Sequence, residues 1–162
     1  MSSSLARALA GALLIAAAGL LGGCGDHRVR LGVSPGAAHV NGAYMGGQKQ
    51  IKLFVETVHL DPAREGRRGK TSLITVNLAV LSERAGDARF HLASSRLDVD
   101  GNASSPVESH VVSLAPGKIT RTTLTFRVPV TPEEFETATL NLVIGEEGDP
   151  AKFAVPLGAV GD

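Results

Sequence analysis

From residue 49 onward, the 162-residue sequence predicts an all-β sandwich. Three observations support this fold class. Short apolar runs with a period of two recur along the region, and that period is typical of a strand with one buried face. Glycine, proline, aspartate and asparagine separate the runs, as turn residues do. About seven such runs fit into the region, which is the number typical of an immunoglobulin-like sandwich.

The chain begins with the pattern of a secretory signal peptide. Arg7 is the only charge before an apolar run over residues 8–21. This run is too short to span a bilayer comfortably, because a transmembrane helix needs about 20 apolar residues. A retained anchor helix is the alternative interpretation, but the small residues Gly22 and Gly23 before Cys24 favour cleavage.

The last four residues of this leader, Leu21-Gly22-Gly23-Cys24, resemble the lipobox of bacterial lipoproteins. The resemblance implies cleavage between Gly23 and Cys24, removal of residues 1–23, and acylation of Cys24. Lipoproteins carry a diacylglycerol on this cysteine and often a third acyl chain (a palmitate, for example), and two or more chains give stable anchoring. We therefore expect a cell-envelope protein held to a membrane by lipid. Gly25 stands where an Asp would signal retention in the inner membrane, which favours the periplasmic face of the outer membrane.

Composition excludes one class of partner and limits how the domain can be stabilised. Without the leader, 15 Lys and Arg residues stand against 16 Asp and Glu residues, because Arg7 is the only charge removed. A near-neutral chain lacks the clustered basic surface that nucleic-acid binding needs. Cys24 is the only cysteine, so its acylation leaves no thiol for a disulfide. The domain must then depend on its hydrophobic core, which ~110 residues can supply.

Residues 24–48 predict a glycine-rich, flexible tether that carries the lipidated cysteine. A coil of ~23 residues would place the domain about 25–30 Å from the lipid. The alternation of Val29, Leu31 and Val33 leaves a partly ordered segment open as an alternative. The sandwich domain is then predicted over residues 49–162.

Seven strands are predicted within this domain. In the clearest run, Leu124, Phe126 and Val128 share one face, and hydroxyl and basic side chains occupy the other. The run over 71–81 is apolar on both faces, which predicts a central strand covered on both sides. The predicted strands cover residues 50–60, 71–81, 89–97, 107–114, 120–128, 137–144 and 152–157.

The connections have the chemistry of turns. Residues 98–102, Asp-Val-Asp-Gly-Asn, combine side chains that cap their own backbone with a glycine that can take positive φ. Pro116-Gly117 fits a type II turn, with glycine in the left-handed position. Residues 146–150 form a polar hairpin tip.

Residues 73–157 resemble the telokin-like, immunoglobulin-like domains of bacterial lipoproteins, such as DUF4352. The resemblance implies an extracytoplasmic sandwich and no activity, because fold does not imply function. It departs from the family pattern at residues 84–87, which read Arg-Ala-Gly-Asp instead of an Asn-Gly-type loop. The shared motifs are the apolar strand 73–81, Phe90-x-Leu92, Asp98-x-Asp100-Gly101, Leu114-Ala115-Pro116-Gly117 and Leu124-x-Phe126-x-Val128-Pro129.

A basic loop between the first two predicted strands is the candidate ligand-contact site. It contains Arg64, Arg67, Arg68 and Lys70, with Glu65 among them. Arginine matches the geometry of phosphate, and basic clusters near lipid gain attraction to anionic headgroups. The loop could therefore contact phosphate groups of lipid or of a cell-wall polymer; the alternative interpretation is a solvated loop.

Metal binding has weaker support, and we predict no metal ligands and no cofactor. The five histidines (His27, His39, His59, His91 and His110) include no pair at the spacing of a helical zinc motif. His91 and His110 could meet on adjacent strands as a copper or zinc site, but their phases place them on opposite sides of their sheets. Asp98, Asp100 and Asn102 could bind calcium with help from Glu108, but the EF-hand pattern fails at its glycine and at its twelfth position.

No catalytic motif is present: the chain lacks Gly-x-Ser-x-Gly, Ser-x-x-Lys and His-Glu-x-x-His. The sequence therefore predicts a non-enzymatic lipoprotein whose domain binds a protein or an envelope component. Loops 64–70 and 146–150 are the predicted contact regions, since sandwiches bind through loops or strand edges. The alternatives are a periplasmic lipoprotein that handles copper or zinc, and a structural envelope protein without a discrete ligand.

Overall fold

The computed structural model describes residues 29–33, 39–40, 43–66, 69–129 and 137–159. This part of the chain contains twelve β-strands and one 3-10 turn, Leu92–Ser94, but no α-helix. All pairings between these strands are antiparallel, which confirms the predicted all-β sandwich. The strands are β1 (Val29–Val33), β2 (His39–Val40), β3 (Ala43–Gln48), β4 (Ile51–Gly66), β5 (Gly69–Ser82), β6 (Ala88–His91), β7 (Arg96–Val99), β8 (Asn102–Ser104), β9 (Val111–Leu114), β10 (Ile119–Val128), β11 (Thr137–Ile144) and β12 (Ala151–Ala159).

Eight strands follow one another by hydrogen bonding in the order β10-β5-β4-β1-β12-β11-β7-β8. Strand β3 pairs with β4 and with β2, while β6 and β9 form a separate two-stranded sheet. Strand β1 is the junction between the two halves of this order. Val29 pairs with Leu60 of β4, and Leu31 pairs with Ala159 of β12.

Strands β1, β2 and β3 lie inside the segment for which the sequence predicts a flexible tether. That prediction is wrong for these three strands, and the alternation from Val29 to Val33 is the signal of β1. The side chain of Leu31 is only 4% exposed and belongs to the hydrophobic core. The glycines do not prevent pairing, because Gly46 and Gly47 of β3 lie opposite Leu53 and Lys52 of β4.

Strand β4 is longer than predicted and changes phase within its length. Its buried residues include Leu53 and Val55 in one phase, followed by Val58 and Leu60 in the other. A β-bulge at Glu56 causes the change. The extra residue moves the core-facing positions from odd-numbered to even-numbered residues. The strand therefore bends while keeping apolar residues inside.

The predicted strand over 89–97 is two strands separated by the 3-10 turn. Phe90 and Leu92 are buried in one parity, whereas Leu97 and Val99 are buried in the other. A continuous strand would turn one of these pairs toward solvent. The 3-10 turn shifts the chain so that both pairs face the core. The predicted strand over 107–114 is also shorter, because β9 begins at Val111.

Strand β5 has strand neighbours on both sides, β4 and β10, as expected for a central strand. Its inner face, which includes Val76 and Leu78, is fully buried. The outer face is only partly covered: Ala79 is buried, but Leu73 and Leu81 are half-exposed. The prediction of a strand covered on both faces is therefore only partly correct.

A polar row crosses the outer face of this half of the sandwich. Asn77 of β5 donates a hydrogen bond to the Thr57 hydroxyl at 2.7 Å and accepts one from the Thr123 hydroxyl at 2.9 Å. Arg121 donates to Glu56 at 2.9 Å along the same face. These side chains form hydrogen bonds with one another, so the face is a polar surface bonded within itself.

The inward rows of both halves meet in one hydrophobic core, with Phe90 and Phe126 as its largest fully buried side chains. Among the described residues, this core extends from Leu31 to Leu157.

We predict that Leu31→Ala lowers the free energy of unfolding by about 2–4 kcal/mol, because it deletes buried methyl groups and leaves a cavity. Urea unfolding of a chain that begins at Gly25 measures this change. Ile119→Ala is the matched control: Ile119 is 55% exposed, so its truncation should change stability by less than about 0.5 kcal/mol. If Leu31 belonged to a free tether, both substitutions would have equally small effects.

Candidate functional site

The sandwich has two polar ends, and the candidate sites lie at opposite ones. Strand β4 begins at Ile51, and Leu60 lies nine residues further along it. Nine residue steps of strand have a length of about 30 Å. Beside Ile51 the chain forms the loop cluster, which we define as Lys49, Gln50, Arg84 and Asp149. Beyond Leu60 it forms the basic hairpin, residues 61–73 of β4 and β5 and their connection.

The loop cluster begins with the tight turn between β3 and β4. Lys49 and Gln50 both have positive φ, 48° and 61°, which is the backbone of a type I′ hairpin turn. This conformation is usually adopted by asparagine and glycine, so the sequence Lys49-Gln50 does not predict the turn. The Gln50 carbonyl accepts a hydrogen bond from the Glu83 N–H at 2.7 Å, which brings the chain after β5 to the turn.

Arg84 joins the loops of the cluster. Its Nε donates to the Lys49 carbonyl at 3.1 Å, and its Nη2 donates to the Asp149 carbonyl at 2.7 Å. Nη2 also lies 3.6 Å from Asp149 Oδ2, and the side chain is only 17% exposed. The guanidinium therefore connects the β3–β4 turn to the β11–β12 turn, which are 100 residues apart in the chain.

The neighbours of Asp149 lower the pKa of its carboxyl group. A hydrogen bond and ion pair from Lys49 hold the pKa of the Asp149 carboxyl below its ordinary value of 3.8, and the charge of Arg84 adds to the effect. Its carboxylate is mostly exposed, so solvent screens these interactions. Asp149 is therefore a charged group available to a partner at neutral pH.

The cluster lines an open depression of about 400 Å³ at this end of the domain. Arg84 uses its Nε and Nη2 donors on the two carbonyls, and its charge is paired with Asp149. Lys49 and Asp149 remain accessible, with 47% and 64% of their side chains exposed. Charges of both signs beside exposed turn backbone can bind a polar surface. The predicted contact loop 146–150 contributes one wall of the depression through Asp149.

The basic hairpin projects beyond its strand neighbours. Strand β1 pairs with β4 only as far as Leu60, and β10 pairs with β5 only as far as Ser72. From Arg64 to Thr71 the two strands pair with each other, and the described residues supply no further strand beside them. The hairpin is therefore an arm that extends from the sheet.

The four predicted contact residues map to this arm, but they do not form a single loop. Arg64 and Lys70 lie in strands β4 and β5, opposite Thr71 and Glu65. Arg67 and Arg68 occupy the connection between the strands and lie outside the described residues. The predicted loop is therefore wrong for Arg64 and Lys70, which are paired strand residues, and stays a prediction for Arg67 and Arg68.

The predicted lipidation site also lies outside the described part of the chain. Gly23 and Cys24 precede Val29, the first described residue. Within the described ranges, no helix is long and apolar enough to cross a membrane.

The histidines of the described ranges are not brought into a metal site, and His27 lies outside those ranges. Within the described residues, no group of three His, Cys, Asp or Glu side chains could hold a metal ion. His91 and His110 are both exposed, and His110 precedes β9 instead of lying in it. His59 is half-buried in β4 opposite Thr75.

The candidate calcium ligands are used in other ways. Asp98 accepts a hydrogen bond from the Gly101 N–H at 2.9 Å, and Asp100 and Gly101 take positive φ in the turn between β7 and β8. The Glu108 carboxylate accepts from the Thr125 N–H at 2.7 Å on the edge of β10. The interpretation of residues 98–102 as a plain turn accounts for the Asp98 hydrogen bond and for the two positive φ angles. The predicted Pro116-Gly117 turn also has its glycine at φ 69°.

Sequence reasoning missed Lys49 and Arg84. The one signal for Arg84 is the departure from the telokin-like pattern at residues 84–87, where this chain places an arginine. Lys49 carries no comparable signal, because its role depends on a positive φ and on a contact 100 residues away.

Comparison with known proteins gives likeness at the level of the fold. The YcdA protein of Bacillus subtilis, which is assigned as a lipoprotein, matches 71% of this chain at 13% identity and a TM-score of 0.55. This chain spans only 38% of that structure's length. A functionally unknown protein from Listeria monocytogenes matches 84% of this chain and 89% of its own at 11% identity, with a TM-score of 0.56. No protein-family model and no curated protein sequence matches the chain, so the telokin-like assignment remains a resemblance.

We predict that Gly145→Ala destabilises the domain by about 1–3 kcal/mol, because Gly145 has φ 116° and a side chain there is strained. The new Cβ would also lie 3.0 Å from Arg84 Nη1, on a guanidinium held in place by two carbonyls. Gly148→Ala is the matched control in the same turn, since nothing lies within 4 Å of its Cβ position. Thermal or urea unfolding of both variants tests this, and equal stability would contradict it.

We predict that the Asp149 carboxyl titrates below 3.8 in the folded protein and that Lys49→Ala raises the midpoint toward that value. Since the folded pKa is lowered, the stabilisation is fully present above 3.8 and is lost as the pH falls below it. Carbon-13 NMR titration of Asp149 measures the midpoint directly. Lys118→Ala removes an exposed lysine outside the cluster and should leave the midpoint unchanged; a shift of equal size there would indicate a general charge effect.

Proposed function

We propose that this protein is a non-enzymatic, lipid-anchored lipoprotein of the cell envelope whose immunoglobulin-like domain binds a protein or another envelope component. The observation that carries the proposal is the lipobox-like Leu21-Gly22-Gly23-Cys24, followed closely by a folded all-β domain. The shared fold with a protein assigned as a lipoprotein supports the same class. The placement of Gly25 after the cysteine supports the periplasmic face of the outer membrane.

The position of β1 supports a domain held close to its membrane. Five residue steps separate Cys24 from Val29, the first residue of β1. A fully extended chain of that length spans at most about 18 Å. This is shorter than the reach of a 23-residue coil, so the anchored domain would stand at the lipid surface and not far above it.

The loop cluster is then the part of the domain available to a partner in the envelope. It lies at the end of β4 remote from Val29 and Leu60, about 30 Å from the anchored end. Its exposed Lys49 and Asp149 offer one charge of each sign, and Arg84 fixes the turns that carry them. Fixed loops lose little conformational freedom on binding, which favours recognition.

We predict that the native chain, expressed in a Gram-negative host, fractionates with the membrane and begins at a Cys24 that carries added acyl mass. Cys24→Ser removes the thiol that accepts the lipid, so the variant should lose both the acyl mass and the cleavage. Membrane fractionation and intact mass spectrometry of the two chains decide this. If both chains remain uncleaved and equally membrane-bound, the leader is an anchor helix and the lipoprotein proposal fails.

A further inference from the structure

We propose that the unpaired edge of strand β10 binds an extended segment of another protein as an added strand, with an acidic side chain opposite Arg121. The partner is recognised through its backbone and through this one carboxylate. The surface has no residue in common with the loop cluster, and binding to it does not depend on the lipid anchor.

Strand β10 ends the order of eight strands, so only one of its sides is fully paired. Its residues, Ile119–Val128, all lie opposite residues of β5. On the other side, the described residues supply only the short segment 106–108. The Val107 N–H donates to the Thr125 carbonyl at 2.7 Å, and the Glu108 carboxylate accepts the Thr125 N–H at 2.7 Å. The chain therefore covers this edge at Thr125.

The first half of β10 has no such cover. The backbone groups of Thr125 point away from β5, and successive strand residues alternate, so those of Ile119, Arg121 and Thr123 point the same way. Among the described residues, none bonds to these groups. We call these three residues the open edge, which extends about 13 Å from Ile119 to Thr123. A row of unpaired backbone groups is a template for another strand.

The segment 106–108 shows that this side of β10 accepts an antiparallel strand. Pro106 forms an antiparallel bridge with Phe126, and the hydrogen bond of Val107 belongs to the same arrangement. After Glu108 the chain leaves for β9, which pairs with β6 in a separate sheet. The open edge therefore begins where the chain's own cover ends, and a partner strand can extend that cover.

The opposite end of the strand order is a poorer site for an added strand. Strand β8 has only three residues, Asn102–Ser104, and short edge strands protect a sheet against further pairing. Strand β10 has ten residues. The longer strand offers the continuous ladder of hydrogen bonds that strand addition requires.

The charges beside the open edge favour an acidic partner. Arg121 is 69% exposed and donates to Glu56 of β4, and an exposed ion pair of this kind contributes little. Lys118, which directly precedes the open edge, is exposed and forms no ion pair within the described ranges. An added strand places one side chain directly opposite Arg121, and opposite charges at such positions stabilise the pairing.

Exposed apolar side chains lie at both ends of the open edge. Ile119 is 55% exposed at its start, and Val107 is 61% exposed beside Thr125. In a partner strand, the residues two positions before and after the acidic one point to the same face as it does. Apolar residues at these two positions would therefore lie near Ile119 and Val107.

A second copy of this chain suits the open edge less well. Two antiparallel copies of β10 aligned on the middle of the open edge would place Arg121 opposite the same residue of the other copy. Like charges directly opposite each other destabilise a strand pair. A partner with a carboxylate at this position replaces the repulsion with attraction.

The open edge lies toward the end of the sandwich that carries the loop cluster. Ile119 is opposite Leu81 of β5, and Leu81 is opposite Lys52 near the start of β4. Leu60, which lies opposite the first residue of β1, is at the other end of β4. In the proposed anchored form, the open edge is therefore remote from the membrane and accessible to another envelope protein.

The test uses the native chain, purified in detergent, and the synthetic peptide Thr-Val-Thr-Glu-Thr-Val-Thr with a dye at one of its blocked ends. The peptide reads the same in both directions, so either orientation can place its glutamate opposite Arg121. Fluorescence anisotropy measures the dissociation constant, and hydrogen–deuterium exchange locates the contact. The peptide should bind and should slow the exchange of backbone N–H groups within residues 119–123.

Arg121→Glu tests the predicted charge contact. It should weaken binding of this peptide about fivefold and should strengthen binding of a peptide with a central lysine by a similar factor. A loss of folding cannot imitate the second result. Arg127→Glu is the matched control, because Arg127 is exposed on the same strand but lies beyond Thr125, about 20 Å from Arg121. Its effect should stay within about twofold, since charges at that distance are screened.

Thr123→Pro tests the addition of a strand. Proline removes the Thr123 N–H from the open edge but no hydrogen bond to β5, so it is tolerated there and should weaken binding more than about tenfold. Thr123→Val is the matched control: it also removes the hydroxyl that donates to Asn77 but keeps the N–H, and it should bind like the native chain. Urea unfolding verifies that both variants fold.

Four outcomes would overturn the proposal: no binding of the peptide, equal effects of Arg121→Glu and Arg127→Glu, equal binding by the two Thr123 variants, or slowed exchange only outside residues 119–123. Self-association of the native chain that the peptide displaces would overturn the proposed partner in favour of a second copy. None of these results depends on lipidation, so they stand apart from the Cys24→Ser experiment.

Discussion

The pairing of β1 with two different strands is the constraint on which the rest of this structure depends. One end of the strand is bonded to β4 and the other to β12, so five residues close the junction between the two halves of the strand order. Cys24 is the only cysteine, so no disulfide can join the halves, and they are held by this junction and by the core they share. The same strand fixes how near the domain lies to the predicted anchor. Both stability and, in the proposed anchored form, the distance of the domain from the membrane therefore depend on one short segment.

At two places, the alternation between core-facing and solvent-facing residues changes phase along the chain. The bulge at Glu56 and the 3-10 turn at Leu92–Ser94 each realign apolar residues whose spacing does not suit a continuous strand. Both irregularities keep the inward rows buried while they change the direction of the chain. The result is a domain with distinct ends: a compact cluster of turns fixed by Arg84 at one, and a projecting arm beyond Leu60 at the other.

These two ends differ in how their charges are used. At the loop cluster, the positive charge of Arg84 is taken up by carbonyls and by Asp149, and the exposed charges are of both signs. At the basic hairpin, the sequence places two acidic residues, Asp61 and Glu65, among the basic ones, and from Arg64 to Thr71 the described strands pair only with each other. Internal pairing makes the first end a scaffold for turns, whereas the second end is an arm that extends beyond the sheet.

The sequence by itself determined the all-β class, the inward rows of strands such as Thr137–Ile144, and the turns at Gly101 and Gly117, because period-two hydrophobicity and positive φ are local properties. It also contained the signal of β1 in three alternating residues, but a run that short does not distinguish a strand from a coil. Only the tertiary structure decided that this run is the junction, because its partners Leu60 and Ala159 lie 31 and 128 residues further along the chain. The loop cluster was decided in the same way, since Lys49, Arg84 and Asp149 become neighbours only when distant turns meet.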